Sequence, residues 1–163
     1  MKRSIVLAFL LMTILPAFGR KYPFDMNHPY EVSVVRVGQE GTKFLKAWGV
    51  AGNADKAIDQ AMQDAVAACL FVGVEGDAVA GTVPAICGST AAYEQHKAYF
   101  DGFFKSGEFL QYVKNTNSKY PTGENNVSTS RGRKVGIYVQ VMYDALREKM
   151  EKDGIVKGLN NYF

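Results

Sequence analysis

The chain has 163 residues, of which 19 are Lys or Arg and 16 are Asp or Glu, so its formal net charge is only +3. Phosphate binding requires a concentrated basic face, and this balance therefore argues against a nucleic-acid partner. The length suits a single domain with its own hydrophobic core, and no internal repeat or low-complexity tract divides it.

The first nineteen residues have the pattern of a cleavable secretory signal peptide. Lys2 and Arg3 precede an uncharged apolar stretch at residues 5–15. This stretch is shorter than the roughly 20 residues that cross a bilayer. Ala17-Phe18-Gly19 then places small residues at the cleavage positions. We expect cleavage before Arg20, no lipid-attachment cysteine, no transmembrane segment in the mature chain, and a periplasmic or secreted location.

The mature chain is predicted to contain one folded unit between two short terminal segments. Residues 20–29 are polar and contain proline, which indicates an extended lead-in. Residues 30–155 form the predicted domain, and residues 156–163 form a tail. Alternating β-branched and polar residues predict strands at 30–37 and 42–51, joined as a hairpin by a glycine-bounded turn.

A helix is the clearest element of the next part of the chain. Apolar residues recur at three- and four-residue spacing from Ala54 to Cys69, and Asn53 is a suitable N-cap. Its many alanines predict close packing against the sheet. Val72 to Gly88 is rich in glycine and alanine and is predicted to be a long loop or to contain a short strand. A second, aromatic-rich helix should run from Thr90 to Phe104.

The last third returns to strands. Strands are predicted at 109–115 and 134–142, with an exposed loop at 117–132 between them and a closing helix at 144–152. The order is therefore β-β-α-α-β-β-α. Strand pairs that alternate with helices indicate an α+β fold, with an antiparallel sheet of about four strands and helices packed on one face.

The chain has two cysteines, Cys69 and Cys87. In an oxidising compartment they could form a disulfide, which would add about 3 kcal/mol by closing the intervening loop. The alternative is two separate buried thiols, because free cysteine packs like a small apolar residue. The sequence leaves both open. It offers no third and fourth ligand at zinc-binding spacing.

No constellation of residues predicts catalysis. His28 lies in the lead-in and His96 on the second helix, and neither has an orienting partner nearby in the sequence. Cys87, with His96 downstream, is the nearest approach to a thiol enzyme. The acidic residues of the first helix are predicted to face solvent: Asp55, Asp59 and Asp64. We therefore expect no enzymatic activity, no cofactor and no metal.

Aromatic residues crowd the second half of the chain and allow two interpretations. They could fill the core, or part of them could form an exposed patch for a protein partner. The candidate interface residues are Tyr99, Phe100, Phe103, Phe104, Tyr162 and Phe163.

Two segments resemble a bacterial envelope group. Residues 44–51, running into 57–66, resemble its signature of a strand, a glycine and an alanine-rich helix. Residues 112–114 and 134–141, with the closing helix, resemble its late strand pair. The group includes the N-terminal domain of flagellar assembly protein T and a family of small membrane-associated lipoproteins. This chain departs from the group because it lacks the lipid-attachment cysteine and carries the insertion at 72–88.

The resemblance implies an α+β envelope domain without enzymatic activity that serves as a structural or assembly component. Its partners would be other envelope proteins or further copies of itself. The alternative is a periplasmic protein that binds small molecules or cell-wall fragments, with residues 72–88 and neighbouring aromatic side chains forming the pocket. A third hypothesis, a thiol-dependent hydrolase, would use Cys87.

Overall fold

A computed structural model describes residues 22–39, 41–76 and 78–158. It contains one antiparallel sheet of five strands together with helices, which confirms the predicted α+β class. The predicted signal peptide and the tail residues Tyr162 and Phe163 lie outside the described residues. The strands are β1 (Glu31–Val37), β2 (Lys43–Ala51), β3 (Val113–Asn115), β4 (Asn126–Thr129) and β5 (Gly132–Val141). The helices are α1 (Ala54–Ala67), α2 (Ala91–Gln95), α3 (Lys97–Lys105) and α4 (Tyr143–Lys152).

The sheet is built around β2 and β5, which pair along nine residues of each strand, from Lys43↔Val141 to Ala51↔Arg133. β1 pairs with the free side of β2. The far side of β5 is shared, because β3 pairs with its C-terminal half and β4 with its N-terminal half. The strand order is β1-β2-β5-β3, with β4 also on β5.

The structure corrects two predictions about the late strands. The predicted exposed loop at 117–132 contains β4, a fifth strand that is too short and too polar to show alternation. The predicted strand at 109–115 is mainly a 3-10 turn, Glu108–Tyr112, followed by the three-residue β3. The sheet therefore has five strands rather than about four.

Helix α1 packs on the inner face of the sheet, as its alanines predicted. Asn53 caps it, since its side-chain oxygen accepts a hydrogen bond of 2.9 Å from the N–H of Lys56. Ala57 and Ala61 are fully buried. A Cβ atom on Gly49 of β2 would overlap the carbonyl oxygen of Ala57. Glycine on the strand and alanine on the helix therefore allow the two backbones to touch.

Residues 72–88 fold back onto the end of α1. The helix ends in a π-helical turn, Ala68–Val72. Val74 and Val83 then pair through two backbone hydrogen bonds of 2.8 and 2.9 Å, and both side chains are buried. Ile86 is buried as well. This segment is a packed connection, and its buried side chains belong to the core instead of lining a pocket.

Cys69 and Cys87 are free thiols, which is the second of the two possibilities that the sequence left open. The backbones next to the two thiols are hydrogen-bonded to each other. The N–H of Ile86 donates to the carbonyl of Cys69 at 2.9 Å, and that of Cys87 donates to the carbonyl of Leu70 at 2.8 Å. These bonds satisfy carbonyls at the helix end. They also attach the segment around Cys87 to the end of α1.

The second predicted helix is divided at His96 into α2 and α3. Phe100, Phe103 and Phe104 on α3 are at most 2% exposed. The prediction that these three residues belong to an interface is therefore wrong. Their helical spacing places them on the stripe that faces the core, where the rings of Phe100 and Phe71 meet edge to face at 4.7 Å.

Tyr99 is the one described residue of the predicted interface set that reaches the surface. It is partly exposed, and its hydroxyl donates a hydrogen bond of 2.5 Å to Asp153. Lys149 binds the same carboxylate at 2.6 Å and Glu108 at 3.0 Å. These contacts tie α3 to α4, so the Tyr99 hydroxyl serves the fold.

The described part of the lead-in lies against the domain. The ring of Tyr22 meets that of Phe109 edge to face at 5.3 Å. The ring of Phe24 stacks on Phe104 at 3.9 Å. Residues 22–30 are therefore part of the fold and cover one side of the core, next to α1 and α3.

Candidate functional site

The outer face of the sheet carries a distinctive set of side chains. Successive residues of a strand point to opposite faces, and the pattern is clear in β2, where Leu45 and Ala47 are buried but Phe44, Lys46 and Trp48 are partly exposed. The strand register aligns similar residues from the neighbouring strands with them. We call this surface the open face; its aromatic and charged members are Glu31, Arg36, Phe44, Lys46, Trp48, Lys114, Lys134 and Tyr138.

The charge on the open face is mainly positive. Glu31 is the only acidic residue in the five strands. It binds Lys134, with an Nζ–Oε2 distance of 2.6 Å. Within the described residues no carboxylate pairs with the other three cations, Arg36, Lys46 and Lys114. Counted over the described residues, the open face therefore presents three positive charges that no carboxylate pairs with.

Trp48 lies at the centre of this surface. A Cβ atom on Gly136 of β5 would come within 2.9 Å of three atoms of the indole, so the ring rests on the backbone at that glycine. The Nζ atoms of Lys46 and Lys134 lie 4.8 and 4.9 Å from the ring centroid. Each such cation–π contact contributes roughly 0.5–1 kcal/mol at an exposed site. The indole therefore packs against the backbone of β5 at Gly136, and two ammonium groups lie within 5 Å of its ring centroid.

A shallow recess lies beside the tryptophan. The β1–β2 register shifts between Val34 and Arg36, which leaves Val35 bulged and 44% exposed. The guanidinium of Arg36 lies over the ring of Phe44 at 4.3 Å. The recess has a volume of about 380 Å³ and is lined by apolar groups, by this guanidinium and by Tyr138. The recess therefore combines apolar side chains with a guanidinium group that packs on the ring of Phe44.

A second feature is a partly buried His–Asp hydrogen bond beneath the lead-in. The Nε2 atom of His28 lies 3.1 Å from the Oδ2 of Asp64, and Gln60 donates to the Oδ1 at 2.7 Å. Asp64 is 1% exposed, so the prediction that it faces solvent is wrong. Burial raises the pKa of Asp64 to about 6, although the Gln60 and His28 hydrogen bonds and the charge of His28 act in the opposite direction. The pair joins the lead-in to α1.

The thiols are poorly placed for nucleophilic chemistry. Burial raises the pKa of Cys87 to about 11 and that of Cys69 to about 12. Both are therefore protonated at neutral pH, whereas the thiolate is the reactive form. His96, which the thiol hypothesis would pair with Cys87, is the residue at which α2 and α3 separate.

The described residues contain neither a metal-binding cluster nor a membrane-spanning helix. Across 22–39, 41–76 and 78–158, no group of three or more His, Cys, Asp or Glu side chains could hold a metal ion. Asp77, one of the acids in the segment 72–88, lies outside these ranges. Over the same ranges no helix is both long enough and apolar enough to cross a bilayer.

Comparison with protein-family models, curated proteins and solved structures finds no match to this chain. The resemblance to the envelope group therefore stays a prediction.

Reasoning from the sequence missed the open face because it followed the apolar half of each strand pattern. The residues that identify this surface are those at the polar positions of each strand pattern. The polar positions of β2 and β5 hold Lys46, Trp48, Lys134 and Tyr138, which are long cations and large rings. Ordinary solvent-facing positions of a sheet carry mixed charges and small polar residues.

Proposed function

We propose that this protein is an exported, non-enzymatic component of a bacterial cell envelope that acts by contact, and that the open face is its contact surface. The observation that carries the proposal is the concentration of rings and cations on one side of the sheet, with Glu31 as the only acid. Export is proposed from the N-terminal pattern at residues 1–19.

The stability of the sheet does not require this surface. An antiparallel sheet needs only one face packed on the core, and its other face can meet water. Here the centre of the inner face is packed on the core, with Ile137 and Val139 at 0% exposure. Large rings on the remaining face expose apolar surface to water, and like charges there repel one another. Both features are typical of surfaces that bind a partner.

The composition of the open face favours binding over catalysis. It contains no histidine, no cysteine and no pair of carboxylates, which are the groups most used for acid–base and nucleophilic chemistry. Lys46 and Lys134, the amines nearest its centre, have their Nζ atoms 4.8 and 4.9 Å from the centroid of the Trp48 ring, as in a cation–π contact. Their role would be attraction of a negatively charged partner.

Cell fractionation in the native host tests the proposal. The wild-type chain should begin at Arg20 and be recovered with envelope material. Arg36→Glu/Lys114→Glu reverses two open-face charges without touching the tryptophan and should move the protein to the soluble exported fraction. The control, Lys152→Glu/Lys157→Glu, makes the same charge change outside the sheet at exposed positions. An uncleaved cytoplasmic chain, or equal behaviour of the two variants, would contradict the proposal.

A further inference from the structure

We infer that the open face docks on the anionic surface of a phospholipid bilayer, with its rings at the interface and its cations among the headgroups. This inference rests on the proposed function and names the partner of the same surface. It concerns peripheral attachment of the folded domain, through residues that lie on all five strands of the sheet.

Charge complementarity selects a negative partner. Arg36, Lys46 and Lys114 have no compensating carboxylate within the described residues. A second copy docking face to face would bring these cations against their equivalents, which is unfavourable. Near an anionic lipid surface, in contrast, each Lys or Arg increases the affinity by roughly fivefold.

The position of the lysines favours lipid over protein. Lysine is depleted from the cores of protein–protein interfaces, where aromatic residues are enriched. Here Lys46 lies at the centre, 4.8 Å from the Trp48 ring and 5.6 Å from that of Tyr138. A lipid surface accommodates this mixture, because tryptophan and tyrosine favour the interfacial layer while the ammonium group on its long stem reaches the headgroups.

The open face also carries exposed apolar groups on three of its strands. Val35 on β1, Tyr138 on β5 and Val127 on β4 are 44%, 43% and 40% exposed. Val127 pairs with Lys134, which places it on the open side of the sheet. Three strand spacings of about 4.8 Å separate β1 from β4, and Val127 lies opposite Lys134, four residues along β5 from Tyr138, so the three side chains are spread diagonally over the open face. The guanidinium of Arg36, beside the apolar recess, is suited to a lipid phosphate.

Trp48 is the only tryptophan of the chain, so its fluorescence reports directly on this surface. The mature chain from Arg20 would be titrated with vesicles of phosphatidylcholine, alone or with a third replaced by phosphatidylglycerol. We expect a blue shift and protection from acrylamide with the anionic vesicles only. The response should disappear near 1 M salt, where the Debye length falls to about 3 Å.

Charge variants locate the contact. Arg36→Glu/Lys114→Glu should weaken vesicle binding by about 30-fold or more, since two cations are lost. Lys152→Glu/Lys157→Glu should bind like the wild type. Circular dichroism of each variant establishes that it is folded, and the salt dependence of the wild type gives a measure that needs no variant.

The alternatives give different results. Binding to vesicles with unchanged Trp48 emission would place the contact elsewhere and overturn the inference. A Trp48 response to soluble polyglutamate or to an acidic polysaccharide, with none to vesicles, would also overturn it, but the open face would remain a contact surface. If Trp48 fluorescence responds to neither vesicles, polyglutamate nor the acidic polysaccharide, the membrane inference is refuted. The proposed function is tested separately, by fractionation in the host.

Discussion

Asp64 is expected to destabilise the folded protein at neutral pH. Its carboxylate is 1% exposed, and its pKa is raised from 3.8 to about 6, mainly by burial. An acid whose folded-state pKa is raised binds its proton more tightly in the folded state than in the unfolded state. Stability is therefore lost as the pH rises from about 4 through 6, and the loss is complete above that range.

The size of the effect follows from the shift in pKa. Each pKa unit corresponds to 1.36 kcal/mol, so the difference of about two units corresponds to about 3 kcal/mol at pH 8. Asp64→Asn keeps the shape of the side chain and an oxygen that can accept the hydrogen bond from Gln60. It cannot ionise. The variant should match the wild type near pH 4 and be more stable by up to about 3 kcal/mol at pH 8.

Urea unfolding of both proteins between pH 4 and pH 8 measures this difference directly. Glu148→Gln, an exposed acid on α4, is the matched control and should follow the wild type at every pH. Parallel curves for Asp64→Asn and the wild type would show that the carboxylate is adequately compensated by His28 and Gln60. A variant that is less stable at pH 8 would refute the reasoning.

Three further outcomes are expected from the packing. Gly49→Ala should destabilise the domain by more than about 3 kcal/mol in thermal or urea unfolding, because its new methyl group has no room beneath α1. The control Gly52→Ala places its methyl group in open space and should lower the free energy of unfolding by less than about 1 kcal/mol. Phe100→Ala should cost about 3–5 kcal/mol, as for a core phenylalanine, and a loss below about 1 kcal/mol would contradict its burial. Cys69 and Cys87 should resist iodoacetamide at pH 8 in the folded protein and react after unfolding, as mass spectrometry can measure.

Strong periodicity made much of the fold predictable. The hairpin of β1 and β2, the alanine-faced α1 with its Asn53 cap, and β5 all follow from apolar spacing in the sequence. Local patterns failed where tertiary contacts decide the structure. β4 exists because the free half of the β5 edge accepts it, and its four residues alone carry no strand signal.

The same limit applies to the two sites. Spacing along α1 placed Asp64 with the polar residues, but the lead-in passes over that position and buries it with His28 as its partner. No local pattern reports a contact between residues 36 positions apart. The open face also depends on long-range pairing, because only the register of β2 and β5 places Trp48 over Gly136.

The shared edge of β5 bears on how the protein avoids aggregation. Unpaired strand edges are templates for uncontrolled addition of further chains. On one side of the sheet, β3 and β4 together occupy most of the edge that β5 would otherwise leave free. On the other side, the bulge at Val35 breaks the regular ladder of β1. Strand-to-strand addition of further chains is thus discouraged at both margins of the sheet, by two short strands at one and by a bulge at the other.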